Sequence, residues 1–144
     1  MDAYFDSAII IKLYVQEVNS AYAIGLVSNY PAPAPITTWQ ALEVKTAIRL
    51  KAFRKEISLG EMTQSINAFE QDIAAKRWVR PQYNSAAVEQ KAEELSAKHA
   101  VTLGCRTLDI VHAAAAIVVG AKDFVTFDNR QAALAKLSGL AVKS

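Results

Sequence analysis

Cysteine is almost missing from this chain: Cys105 is the only one among 144 residues. One thiol closes no intramolecular disulfide and builds no multi-cysteine zinc site, and two histidines add little to a zinc donor set. No apolar run approaches the ~20 residues that span a bilayer. The opening segment MDAYFDSAII carries acids where a signal peptide carries a basic stretch. These absences lead us to expect a cytoplasmic protein without a membrane partner. A large charge of either sign is lacking too, with 16 Lys and Arg against 14 Asp and Glu and a net charge of +2. Such a weak overall field does not recruit nucleic acid, so any RNA contact has to come from local clustering. No repeat, long linker or low-complexity tract divides the chain, and PAPAP at 31–35 reads as a short stiff connector. What the chain does have is core material. With 52% hydrophobic and 21% charged residues it is no disordered tail, and its length suits a single domain over 1–144.

Short β-like runs alternate with long helical ones. The spacing predicts strands at 3–5, 36–38, 78–80, 124–126 and 140–142. Between them it predicts helices at about 20–28, 39–55, 58–76, 85–98, 108–119 and 130–137, and SAIIIKLY directly follows the first strand. SLGE at 58–61 matches a capping box, and Asn84 or Ser85 and Thr107 are candidate N-caps. Strand–helix alternation without hairpin signals argues for a parallel sheet covered by helices, a three-layer α/β/α domain.

Most acids fit a solvated helix face or a cap. Four differ. Asp6 follows the first strand and Asp128 the fourth; Glu43 lies one turn into the helix after the second strand; Asp109 lies in the first turn of the helix before the fourth. Helices run antiparallel to the strands of such a sheet, so the start of a helix leading into a strand lies at the strands' carboxyl edge. An extended linker at 100–106 would span ~23 Å, about the length of a 15-residue helix, and bring Asp109 there. That edge is where open α/β sheets bind ligands. Four carboxylates together need a counter-charge, and a hard divalent cation, Mg²⁺ or Mn²⁺, suits oxygen ligands. The plainer alternative is that Asp6 caps a helix and Asp109 complements a helix dipole.

The stretches AYFDSAIIIKLY, ALE, RTLDIVHAAAA and FVTFDNR, in this order, resemble the PIN-domain family and in particular its VapC-type ribonuclease toxins. The resemblance covers essentially the whole chain. Ser7 stands where the family often has Thr, and Ala8-Ile9 replaces the common Ser-Ala. The resemblance implies a PIN fold of about five strands in the order 3-2-1-4-5 and Mg²⁺- or Mn²⁺-dependent RNA cleavage. It further implies a cognate antitoxin, a homodimer, and an acidic site at Asp6, Glu43, Asp109 and Asp128.

Phosphodiester hydrolysis needs an activated water and charge relief on the phosphoryl oxygens, which carboxylate-held metal ions supply. Ser7 and Thr126 are candidates for hydrogen-bonding the carboxylates, against the plainer reading of a helix-start Ser and a strand-end Thr. Arg106 and Arg130 flank the acids and suit phosphate contact. Segment 44–55 carries Lys45, Arg49, Lys51, Arg54 and Lys55 with no acid among them, either a backbone-binding helix or an ordinary solvated face. Tyr14, Tyr30 and Trp39 are stacking or packing residues. His112, one turn after Asp109, reads as packing. A Ser-His-Asp or Cys-His arrangement is not evident. The competing reading is a PIN-like domain that binds RNA or a protein partner without cleaving. An aspartyl-phosphate enzyme is disfavoured, since Ala8 stands where its second acid belongs.

Overall fold

The computed structural model describes residues 2–144. In chain order the elements are β1 (Ala3–Phe5), α1 (Ser7–Tyr14), α2 (Ser20–Ser28), β2 (Ala34–Pro35), α3 (Thr38–Phe53) and α4 (Leu59–Ala74). They continue with β3 (Trp78–Val79), α5 (Ser85–Leu103), α6 (Thr107–Val118), β4 (Asp123–Val125), α7 (Asn129–Leu137) and β5 (Ala141–Lys143). The class is mixed α/β with parallel strands, but the strands fall in two sheets, β1-β4-β5 and β2-β3, not in a single sheet of five. The chain forms two compact units. One combines residues 2–6 with Pro81–Ser144, and the other is Ser7–Arg80. Among the described residues no helix is long and apolar enough to cross a membrane.

In the first unit, β1 pairs with β4 in the register Phe5 to Val125, and β4 pairs with β5. All three residues of β1 are buried. Tyr4 stacks on Phe124 with ring centroids 5.5 Å apart, and its hydroxyl shares a 2.8 Å hydrogen bond with His112 Nδ1. His112 is thus a satisfied packing residue. The run Ala113–Ala116 is wholly buried beside Val88, Leu95 and Leu134, where small side chains let α6 pack closely.

Helix α5 runs five residues beyond the expected end near Lys98. Nothing from Lys98 to Leu103 breaks a helix, and the stop comes at Gly104, which takes the left-handed conformation at φ +65°. The extended linker expected at 100–106 therefore shrinks to Gly104–Arg106. The 19-residue α5, ~28 Å long at the usual rise, covers the distance instead, and α6 packs back against it.

In the second unit, β2 lies earlier than expected, at Ala34–Pro35. The displacement has a local cause. Thr37 caps α3: its hydroxyl accepts from Gln40 N at 3.2 Å, while Thr37 N donates to Gln40 Oε1 at 2.7 Å. This reciprocal box takes Thr37 out of the ladder and leaves Ile36 N, bonded to Val79 O, as the last rung. The expected box at Ser58 and Glu61 is present at the start of α4.

In the basic segment 44–55, Lys45, Lys51 and Arg54 are held in ion pairs within this unit. Lys45 meets Glu70 at 2.7 Å, and Arg54 meets Glu56 at 2.9 Å. Lys51 bridges Glu17 at 2.6 Å and Glu56 at 3.3 Å, and Lys12 adds a second contact to Glu17 at 2.8 Å. Burial alone would raise the Glu17 carboxyl, but hydrogen bonds from Lys12 and Lys51 outweigh it and hold the group below its usual range. Lys51 is correspondingly raised, first by its bond to Glu17 and against the effect of burial. Tyr14 is also structural. Its hydroxyl donates to Asp72 and accepts from Trp78 Nε1, each at 2.7 Å, and its ring meets Phe69 edge-on. Burial, followed by the bond to Asp72, pushes the phenol well above its ordinary value.

Candidate acidic site

Three of the four expected acids belong to the first unit. Asp6 leaves the end of β1, where its amide still donates to Val125 O at 2.9 Å. The β1–β4 register sets the residue after Phe5 level with the residue after Val125, which is Thr126. Thr126 is almost wholly buried, and its hydroxyl has two partners. It donates to Asp6 Oδ2 at 2.7 Å and accepts from Asp128 N at 3.0 Å. One hydroxyl therefore fixes the Asp6 carboxylate and the turn that carries Asp128.

Asp128 is the N-cap of α7, its Oδ1 accepting from Gln131 N at 2.8 Å. Asp109 occupies the corresponding first turn of α6, where Oδ2 accepts from Arg106 N at 3.1 Å and lies 3.9 Å from the Arg106 guanidinium. Both carboxylates thus do ordinary helix-start work: they satisfy amides that lack intrahelical partners and complement the positive end of the helix. The two first turns are joined by a residue that sequence reasoning passed over. Gln131 Nε2 donates to the Asp109 carbonyl at 3.0 Å. Its signal was present, since Asp128-x-x-Gln131 has the spacing of a capping box.

The fourth acid, Glu43, lies in α3 of the second unit, where Ser7 Oγ donates to its Oε1 at 3.0 Å. Both hydroxyl residues singled out in the sequence therefore hydrogen-bond the expected carboxylates, Thr126 to Asp6 and Ser7 to Glu43. Of the basic candidates, Arg130 is exposed and donates to Gly104 O at 3.3 Å, which sets it against the α5–α6 turn. Arg106 is highly exposed and Arg49 is exposed, while Lys45 is held by Glu70. Cys105 sits in the same turn. Burial and then the Asp109 charge raise its thiol above the ordinary value, so it is no activated nucleophile.

The donors at Asp6, Asp109 and Asp128 are all carboxylate oxygens, the chemistry a hard divalent cation takes. Chemically they fit such an ion. Asp109 and Asp128 serve as helix caps and Asp6 accepts from Thr126, and among the described residues no group of three or more His, Cys, Asp or Glu converges closely enough to hold a metal. The Oε1 atom of Gln131 is buried and has no hydrogen-bond partner among the described residues.

Comparison with known protein families found no matching family, and comparison with curated proteins found no match.

Proposed function

We propose that the chain is a metal-dependent endoribonuclease of the PIN type, acting as the toxin of a toxin–antitoxin pair. The observation that carries this reading is the shared hydroxyl of Thr126, which ties Asp6 to the turn bearing Asp128 in the unit that also holds Asp109. The strand adjacencies β1–β4–β5 and β2–β3 are both contained in the order 3-2-1-4-5. Asp6, Asp109 and Asp128 would hold Mg²⁺ or Mn²⁺, and Glu43 is assigned to the same set by its sequence pattern alone. Such an ion, when bound, supplies charge relief at the phosphoryl oxygens and lowers the pKa of a nearby water.

The chain's own residues supply position and charge. Thr126 keeps Asp6 in one orientation through a 2.7 Å bond, so little freedom is lost when the carboxylate takes a ligand. Asp109 must share or surrender the Arg106 amide to engage an ion. Arg106 and Arg130 are exposed and would supply the contacts to RNA phosphates. Exposed apolar side chains on the second unit, Tyr22, Ile24, Leu42, Leu50 and Phe53, support a protein partner there, either an antitoxin or a second copy.

One observation favours the other reading, a PIN-like domain that binds RNA or a partner without cleaving: Asp109 and Asp128 are already employed as helix caps. Metal removal separates the two. Purified protein is expected to cut single-stranded RNA in Mg²⁺ or Mn²⁺, to lose that activity in EDTA, and to regain it when the ion is returned. RNA retained on the protein but left uncut under every metal condition would establish binding alone.

A further inference from the structure

Gln131 is an odd residue for its place. It is buried on α7, and its amide oxygen has no partner among the described residues. Burying an amide group is unfavourable unless it is hydrogen-bonded, and packing alone would favour leucine or methionine there. What the amide accomplishes is at its other end, where Nε2 reaches 3.0 Å to the Asp109 carbonyl. The backbone amide of the same residue holds Asp128 Oδ1 at 2.8 Å. Gln131 therefore touches both helix starts that present an acid, one through its side chain and the other through its main chain. Only the first link depends on which residue stands there.

The geometry points to Gln131 as a positioning residue of the acidic site, a role that rests on the metal-site reading above. Its side-chain amide pins the first turn of α6 to the first turn of α7 and so fixes the spacing of Asp109 and Asp128. Without that pin, Asp128 keeps its cap, since the Gln131 N donor belongs to the backbone, while Asp109 loses its tie to the first turn of α7. A cation held by both acids then binds a less organised pair.

The test is Mn²⁺ binding to the full chain, followed by calorimetry or by the loss of the free-ion electron paramagnetic resonance signal. Two variants are used, each shown to be folded by circular dichroism at the working temperature. Gln131→Met retains the volume and removes the amide; a 10–100-fold loss of Mn²⁺ affinity is expected. Gln131→Glu is nearly isosteric, replaces the donor by an acceptor facing the Asp109 carbonyl, and adds a negative charge. Charge counting alone makes it bind Mn²⁺ more tightly; the positioning role makes it bind more weakly. Weakened binding by a folded variant supports the role, and one such variant suffices if the other fails to fold. Unchanged affinity in Gln131→Met, or tighter binding in Gln131→Glu, overturns it while leaving the metal site standing. Wild-type protein that takes up no Mn²⁺ overturns the site and the role together.

Discussion

Asp6→Asn is expected to abolish Mg²⁺-dependent RNA cleavage, by at least about a hundredfold, while the protein melts within a few degrees of the wild type. The substitution is close to isosteric. The asparagine carbonyl still accepts from Thr126 Oγ1, and the Asp6 amide bond to Val125 O belongs to the backbone. What disappears is a full negative charge at the end of β1, the feature a hard cation needs. Folding should therefore be almost indifferent to the change and chemistry should not. The measurement is a time course of RNA cleavage with thermal melting on the same samples. Undiminished cleavage by the purified variant would remove Asp6 from the mechanism.

The second large effect is expected at Thr126. Thr126→Val keeps the buried shape but deletes the hydroxyl that donates to Asp6 Oδ2 and accepts from Asp128 N. Losing those two bonds costs about 1–3 kcal/mol of stability. Misplacing both acids lowers activity or Mn²⁺ affinity by about 10–100-fold. Thr126→Ser restores the hydroxyl and most of the function, which a purely steric role for the side chain would not require. If Thr126→Val lost stability but kept full activity, the bond to Asp6 would be structural only.

Much of this arrangement was legible in the residues, for reasons that are local. Runs such as AYF and FVTFD have one reading because short apolar stretches flanked by acids and helix starts do not fit another element. The boxes at Ser58–Glu61 and the cap at Asn84 follow from side-chain chemistry within four residues. Where expectation and structure part, competition between neighbouring signals decides. Thr37 has good strand propensity, but its box with Gln40 makes it a helix cap, and β2 gives way. An extended linker at 100–106 gives way because nothing from Lys98 to Leu103 breaks a helix, and α5 continues until Gly104 provides a stop. The five-strand order depended on pairings between distant segments, which no local pattern encodes; two sheets of three and two strands are what the backbone bonds define.

The acidic site shows the same division. Asp6 and Asp128 were placed by the rule that residues after parallel strands gather at one edge, and the β1–β4 register makes Thr126 the link between them. Gln131 was missed because its link to Asp109 spans 22 residues and ends on a carbonyl, an atom every residue carries. In the basic segment 44–55, Lys45 and Lys51 are paired with Glu70 and Glu17, partners that lie far away in the chain and that no local pattern reveals.

The central claim, that Asp6, Asp109 and Asp128 hold a divalent cation, is tested most directly by the anomalous scattering of crystals grown with Mn²⁺. A peak is expected at the three carboxylates, at direct oxygen distances of ~2.1 Å or one water further out, with Asp109 engaging the ion as well as, or instead of, the Arg106 amide. Asp109 and Asp128 unchanged as helix caps, with Mn²⁺ absent there or bound only at unrelated surface acids, would contradict it.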